Sequence, residues 1–149
     1  MMDTQTYMEL ALSLAKQAGE MGEVPVGAVI VDQNGQVIGK GHNLREHLSS
    51  ATAHAEIHAI EDACKHIGDW RLTGCSIFVT LEPCPMCAGA IFNARVEKVF
   101  YGAKDERMGA LGSVCNLFYE NFDFRPQVVS GILAEQSAKL LTDFFKNLR

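Results

Sequence analysis

The chain has 149 residues and a mass of 16.3 kDa, which is room for one domain, and its 48% of hydrophobic residues and mean hydropathy of +0.03 exclude an intrinsically disordered protein. Its formal net charge of −5 argues against a protein that binds a polyanion over its whole surface. Because residues 24–31, the longest apolar run, are far too few to span a bilayer and residues 1–6 lack the pattern of a secretory signal, we expect a single cytoplasmic domain over residues 1–149.

The first half of the chain predicts a helix, a hairpin and a second helix. Apolar side chains in residues 7–18 recur at spacings of three and four, which is typical of a helix. Residues 24–31 are apolar on both faces and predict a buried strand, which the Asn34-Gly35 turn joins to a weaker strand over residues 36–41. After an irregular polar segment, residues 54–66 have the apolar spacing of a helix.

The second half predicts strands over residues 75–81, 96–101 and 128–132, with a helix over residues 83–95 and a closing helix over residues 133–148. Helices that alternate with short strands imply a layered α/β fold, in which helices cover both faces of a sheet. The antiparallel hairpin at the start makes this sheet mixed.

The segment Pro83-Cys84-Pro85-Met86-Cys87 is the most distinctive feature of the sequence. Proline is favoured at the first position of a helix, where its missing N–H has no partner, so Pro85 predicts Cys84 as the N-cap. Two cysteines three residues apart then lie on one side of the first turn, where the helix dipole favours the thiolates that zinc requires. The pair alone is also compatible with two core cysteines or with a redox-active dithiol.

His54 and Glu56 favour the metal site. No Ser or Thr stands three residues before Glu56, so a capping box does not explain it. The 26 residues between Glu56 and Pro83 suffice for one helix and one strand, so two helices could begin side by side at one edge of the sheet. His54, Cys84 and Cys87 would then give zinc three ligands. The open fourth position would hold a water, as in catalytic sites, and Glu56 would carry protons.

The other histidines and cysteines receive structural interpretations. His54 and His58 are four apart, as in metallohydrolase helices, but in the HExxH motif the glutamate directly follows the first histidine, and Glu56 does not. We therefore interpret His58 as a packing or surface residue, and find no partner for three further histidines at metal-ligand spacing: His42, His47 and His66. In a reducing compartment we expect no disulfides and interpret three cysteines as buried structural thiols: Cys64, Cys75 and Cys115.

The two motifs together resemble those of the zinc-dependent nucleoside and nucleobase deaminases. The resemblance narrows to the bacterial tRNA-specific adenosine deaminases, because matching segments run over nearly the whole chain. These segments are residues 24–28, 52–57, 82–91, 94–95, 101–103, 109–113 and 143–146. The resemblance implies one zinc-dependent deaminase domain over residues 1–149 with one Zn²⁺ per chain. It also implies a homodimer and a three-layer α/β/α sandwich with a central mixed five-stranded sheet of the cytidine-deaminase type.

The resemblance further implies an activity and its substrate contacts. The activity is hydrolytic deamination of adenosine to inosine at the wobble position of a tRNA anticodon loop, by a zinc-activated water with Glu56 as the proton shuttle. Asn43 would contact the flipped base, and Asp105 would lie near the ribose. Phe144 and Phe145 lie on the apolar stripe of the last helix, so we expect at least one in the core, while the other stacks on a base of the loop.

A nucleic-acid partner is compatible with the charge distribution, because residues 1–63 carry a net charge of −6 and residues 64–149 a net charge of +1. Five basic residues could meet phosphates: Arg45, Lys104, Arg107, Lys146 and Arg149. Two departures from the family pattern lie near the expected RNA path. Ser50-Ala51 replaces the usual Asp-Pro, and Arg107 replaces the usual lysine after the loop aspartate.

Three alternative functions remain open at this point. The zinc-site residues alone would equally serve a deaminase of a free base or nucleotide, such as guanine or deoxycytidylate. A non-catalytic, zinc-containing RNA-binding subunit is disfavoured by Glu56, since an inactive protein could lose its proton carrier without losing the metal. A thiol redox protein would leave His54 and Glu56 unexplained.

Overall fold

Five strands form one mixed sheet in the computed structural model, which describes residues 3–148. The strands are Gly27–Val31 (β1), Val37–His42 (β2), Ser76–Leu81 (β3), Lys98–Ala103 (β4) and Gln127–Val129 (β5). Their order is β2-β1-β3-β4-β5, with β1 antiparallel to both of its neighbours and β3, β4 and β5 parallel. The prediction of a mixed five-stranded sheet is confirmed.

Helices cover both faces of this sheet, as predicted. They are Thr4–Glu20 (α1), Arg45–Leu48 (α2), Ala55–Ile67 (α3), Pro85–Asn93 (α4) and Ala134–Asn147 (α5), with a short 3₁₀ helix at Leu117–Tyr119. α1 and α5 pack against each other and against one face, whereas α3 and α4 pack together on the opposite face. The architecture is therefore a three-layer α/β/α sandwich.

Alternation along the central strands divides the core into two parts. Val29 and Phe78 pack towards α1, whereas Ile30, Ile77 and Val79 pack towards α3 and α4. Because successive strand residues point to opposite faces and both faces are covered, β1 carries apolar residues on both of its faces, and β3 does so at residues 77–79. This explains the apolar run over residues 24–31 that predicted a buried strand.

The ends of the predicted elements are shifted by up to three residues, and one helix was not predicted. The first strand begins at Gly27 rather than at residue 24, because Pro25 has no N–H for a sheet and Val26 donates its N–H to the carbonyl of Val24 in a tight turn. The polar segment after β2 contains α2, a single turn whose first N–H groups bond to a distant carboxylate. No helix within residues 3–148 is long and apolar enough to cross a membrane.

Glycines in β2 let α3 approach the sheet closely. A Cβ atom on Gly41 would collide with the backbone of Ala55 and Ala59, and one on Gly39 would collide with Ala59 and Ala63. The start of α3 therefore lies directly against the end of β2. This contact positions the first turn of α3, which carries His54 and Glu56.

Candidate metal centre and catalytic edge

Two helices begin side by side at one edge of the sheet. His54 is the N-cap of α3, and Cys84 is the N-cap of α4, with Pro85 at the first helical position. β3 ends at Leu81 and leads directly into the turn that holds Cys84. The local prediction from Pro85 is therefore confirmed, and both helix N-termini point their partial positive charge towards the same space.

Three side chains converge at this point. The Nδ1 atom of His54 lies 3.7 Å from the Sγ atom of Cys84 and 3.5 Å from that of Cys87, and all three donor atoms lie within 4.8 Å of one another. Zinc bonds of about 2.0 Å to nitrogen and 2.3 Å to sulfur, at a tetrahedral angle, would separate the two donor atoms by about 3.5 Å. The donor set and its spacing therefore fit a tetrahedral zinc ion.

The group has three members and no fourth. Within the described residues 3–148, His54, Cys84 and Cys87 form the one group of three or more metal-binding side chains, and neither Glu56 nor His58 joins it. A structural zinc site is usually closed by four protein ligands, whereas a catalytic site keeps one position open. The arrangement therefore has the chemistry of a catalytic centre.

The two thiols differ in their affinity for a proton. A hydrogen bond from the Cys87 thiol is the main reason why the pKa of Cys84 falls to about 4, with a further contribution from His54. The pKa of Cys87 is raised, first by that same bond and then by burial. Cys84 is thus held as a thiolate, the form that binds metal, and a dication in the site would displace the proton of Cys87.

Glu56 lies beside this group in the first turn of α3 and is only 4% exposed. Burial raises the pKa of its carboxyl group to about 7, although the neighbouring His54 acts in the opposite direction. A carboxyl group with a pKa near the working pH can both accept and return a proton, which is what general acid–base catalysis requires. The side chain is therefore suited to proton transfer.

Asn43 has a structural contact that sequence reasoning did not find. Its Oδ1 atom accepts a hydrogen bond of 2.9 Å from the N–H of Ala55, and its Nδ2 atom donates to the carbonyl of Val24 at 3.1 Å. Asn43 therefore caps the start of α3 from outside the helix and joins it to the segment before β1. One N–H and one lone pair of its amide are not used by these bonds.

Two buried glutamates also escaped sequence reasoning. Glu23 accepts hydrogen bonds from the N–H groups of Glu46 and His47 at 3.2 and 2.9 Å and contacts the His47 ring at 2.6 Å, so His47 does have a partner. Glu82 accepts four bonds from residues 105–113. These bonds lower the pKa of both carboxyl groups against the opposing effect of burial. The sequence signal is weak, since a glutamate next to an apolar strand is as often exposed.

Two expectations about burial are corrected. Of the three cysteines expected in the core, Cys75 is buried and Cys64 is partly buried, but Cys115 is exposed, because it lies in a loop rather than on the sheet. Neither Phe144 nor Phe145 is fully buried, because α5 covers the sheet beside α1 with most of its side chains partly or fully exposed, and Ser137 is its one buried residue. Phe144 is partly buried, Phe145 is 51% exposed, and their rings meet edge to face at 5.3 Å.

The remaining predicted contact residues lie on the surface. The Oδ1 atom of Asp105 accepts the N–H groups of Arg107 and Met108, both at 3.1 Å, which forms a tight turn after β4. Arg45 begins α2. The pKa of His54 is raised, chiefly by its hydrogen bond with Cys84, although the nearby positive charge of Arg45 acts in the opposite direction. Four of the five candidate phosphate contacts are exposed, namely Arg45, Lys104, Arg107 and Lys146. The fifth, Arg149, lies outside the described residues.

Several known proteins are similar to this chain in fold and in sequence. The family model for MafB19-like deaminases matches residues 2–149. This match agrees with the fold and with the group of His54, Cys84 and Cys87, which together indicate a zinc-dependent deaminase. The tRNA-specific adenosine deaminase of Bacillus subtilis (strain 168) is 49% identical over 150 residues, covering 100% of this chain and 92% of the relative. A solved structure from a study of A-to-I editing by tRNA A34 deaminases has a TM-score of 0.88 at 45% identity, covering 91% of this chain and 99% of that one. The chain belongs to the family of tRNA-specific adenosine deaminases.

A guanine deaminase from Bacillus subtilis is also similar. Its solved structure matches with a TM-score of 0.66 at 42% identity, but covers 69% of this chain and 66% of that one. This match covers less of the chain than the matches to the tRNA-specific adenosine deaminase and to the tRNA A34 deaminase structure.

Proposed function

We propose that this protein hydrolyses adenosine to inosine at the wobble position of a tRNA anticodon loop, with Zn²⁺ held by His54, Cys84 and Cys87. The observation that carries the chemistry is a three-ligand group at tetrahedral spacing beside the buried carboxyl group of Glu56. Membership of the tRNA-specific adenosine deaminase family supports the choice of substrate. We place the whole activity in one domain over residues 1–149.

The protein's own residues hold the metal and move the protons. When bound, zinc supplies Lewis-acid activation of a water molecule, lowering its pKa towards neutrality. Glu56 would take a proton from the attacking water and deliver it to a ring nitrogen of the adenine as the oxygen adds to the amino-bearing carbon. It would then transfer the proton of the new hydroxyl group to the departing amino group, so that adenosine and water give inosine and ammonia.

The proposed substrate contacts rest on the family resemblance. Asn43 is proposed to contact the edge of the flipped base with the N–H and lone pair that its structural bonds leave over. Asp105 is proposed to lie near the ribose. Phe145 has the more exposed ring of the two phenylalanines and is proposed to stack on a base of the loop, while Phe144 lines a groove between α1 and α5.

We further propose that the protein is a homodimer. The family resemblance suggests it, and exposed large apolar side chains support a surface that a second chain could cover. Among the described residues these include Leu48, Trp70, Met108, Val114 and Tyr119.

One assay separates the proposed function from its alternative. The protein is incubated with an anticodon stem-loop that carries adenosine at the wobble position, and separately with free nucleosides, nucleotides and bases, including guanine and deoxycytidylate. We expect inosine in the RNA only; the same stem-loop with its single loop adenosine moved one position away serves as the control. Ammonia released only from a free base or nucleotide would favour the guanine deaminase-like alternative.

Salt should weaken RNA binding strongly. If three of the exposed cations Arg45, Lys104, Arg107 and Lys146 meet phosphates, raising the salt concentration fourfold should raise the Kd by about 20-fold, since the expected slope for single strands is about −0.7 per contact. The Kd of a fluorescent stem-loop, measured at several salt concentrations, gives the slope directly. A slope near zero would remove the phosphate contacts from the proposal.

A further inference from the structure

Glu82 has no part in the chemistry above, yet it is only 2% exposed and lies between β3 and the metal-binding turn. We propose that Glu82 is a positioning residue, which fixes the segment of residues 105–113 and thereby holds Asp105 and Arg107 for contact with RNA. This inference rests on the proposed function. Residues 105–113 are called the Glu82 loop below.

The carboxylate of Glu82 is fully used by donors of this loop. Its Oε1 atom accepts the N–H of Asp105 at 3.0 Å and the hydroxyl of Ser113 at 2.5 Å. Its Oε2 atom accepts the N–H groups of Leu111 and Ser113 at 3.0 and 3.1 Å. A buried carboxylate is tolerated only where hydrogen bonds replace its water, so the loop and the carboxylate require each other.

The loop is shaped around the carboxylate. A Cβ atom on residue 109 would collide with the carboxyl group of Glu82 and with the carbonyl oxygen of Asp105, so Gly109 is what allows the close approach. Gly109 also donates its N–H to that carbonyl at 2.8 Å. The loop contains no helix and, apart from one isolated bridge at Leu111, no strand pairing, so the four bonds to Glu82 order it together with its turn hydrogen bonds and the burial of Ala110 and Leu111.

The loop also lies at the catalytic edge. β3 and β4 are parallel, with Leu81 opposite Ala103, so the turn that holds Cys84 and the loop that follows β4 leave the sheet side by side. Ala110 donates its N–H to the carbonyl of Pro83 at 2.9 Å, directly before the metal ligand. Glu82 therefore ties the surface that carries Asp105 and Arg107 to the framework of the metal centre.

This arrangement predicts an effect on RNA binding that is separate from chemistry. His54 and Glu56 belong to α3, and Cys84 and Cys87 belong to α4, so neither helix depends on the Glu82 loop for its own hydrogen bonds. Loosening the loop should raise the Kd and KM for an anticodon stem-loop by about tenfold, while kcat stays within about threefold and zinc content is unchanged.

Glu82→Gln is the main test, because it conserves volume but directs an N–H₂ group at two of the four donors. We expect faster amide hydrogen exchange at Asp105, Leu111 and Ser113 together with the tenfold rise in Kd and KM. Glu82→Asp keeps the carboxylate and should recover part of the affinity. Ser113→Ala removes one of the four bonds and should raise the Kd by only about twofold to threefold.

Glu23→Gln is the matched control, since it makes the same substitution in the other buried glutamate. It should speed exchange at Glu46 and His47 and leave the amides of the Glu82 loop unchanged. If Glu82→Gln does not fold, Ser113→Ala decides the question. Faster amide exchange in the Glu82 loop of Ser113→Ala, together with an unchanged Kd for the stem-loop, would overturn the proposal.

Two results with folded Glu82→Gln would also overturn it. One is faster loop exchange with an unchanged Kd and KM, which would make loop order irrelevant to RNA. The other is loss of zinc together with kcat, which would place the effect at the metal. Failure of the proposed function is distinguishable, because the wild-type protein itself would then form no inosine in the stem-loop, whereas the proposal for Glu82 fails when the wild-type protein forms inosine and the loop variants leave its Kd and KM unchanged.

Discussion

Glu56→Gln is expected to abolish deamination while leaving zinc in its site. Glutamine fills the same buried space but cannot accept and return a proton, and general acid–base catalysis is worth about 10²–10⁴ in rate. Because one residue handles both proton transfers, we expect kcat to fall by about 10³-fold or more. Inosine formation under single-turnover conditions measures this loss, and elemental analysis measures the zinc.

Stability should hardly change with this substitution. Burial already raises the pKa of Glu56 to about 7, so the site accommodates an uncharged group at neutral pH. Glu61→Gln is the control, because Glu61 lies exposed on the same helix and should keep full activity. An active Glu56→Gln protein would refute the proton-shuttle assignment, and one that has lost zinc would make Glu56 a part of the metal site.

Replacement of any proposed ligand is expected to remove both zinc and activity. Cys84→Ser and His54→Ala leave two donors of the three, too few to hold the ion against dialysis, so zinc should fall from about one ion per chain to a small fraction. Deamination should fall at least as far as with Glu56→Gln, because activation of the water is lost. Elemental analysis and the stem-loop assay measure the two losses.

Metal removal should also lower thermal stability. A ligand that binds only the folded protein stabilises it, so a chelator should reduce the Tm of the wild-type protein and have little effect on Cys84→Ser. Cys115→Ser is the matched control, since this cysteine is exposed and outside the group. It should keep zinc, activity and Tm. A Cys84→Ser protein with full zinc content would refute the three-ligand centre.

Local patterns in the chain account for much of what was predicted correctly. The residues of the first turn of α4 determine that it begins with Cys84 and Pro85, because the proline has no N–H to lose and its φ angle suits a helix. The apolar run over residues 24–31 likewise predicts a strand that is buried on two faces, as β1 is. Such features depend on neighbours within a few residues and can therefore be read along the chain.

The errors occur where the decisive partner is distant in sequence. α2 has no helical pattern of its own, and its N–H groups are satisfied by Glu23, about twenty residues earlier. Cys115 lies in a similarly apolar stretch to Cys75, but the loop that carries it turns outwards while Cys75 leads into the central sheet. The apolar stripe of α5 predicted burial for at least one of its phenylalanines, but the packing of α5 beside α1 leaves Phe144 partly buried and Phe145 half exposed.

The sequence by itself determined the starts of α3 and α4, the alternation that makes the fold α/β, and the types of side chain available for metal binding and proton transfer. The tertiary structure decided that Nδ1 of His54 and the sulfurs of Cys84 and Cys87 come within 4.8 Å of one another, a spacing that fits one zinc ion, and that Glu23 and Glu82 face inwards to hold nearby loops. The physical reason is that a helix cap or a strand pattern is satisfied by adjacent residues. A shared ion or a buried carboxylate is instead satisfied by groups that only the packing of α3 and α4 against the sheet brings together.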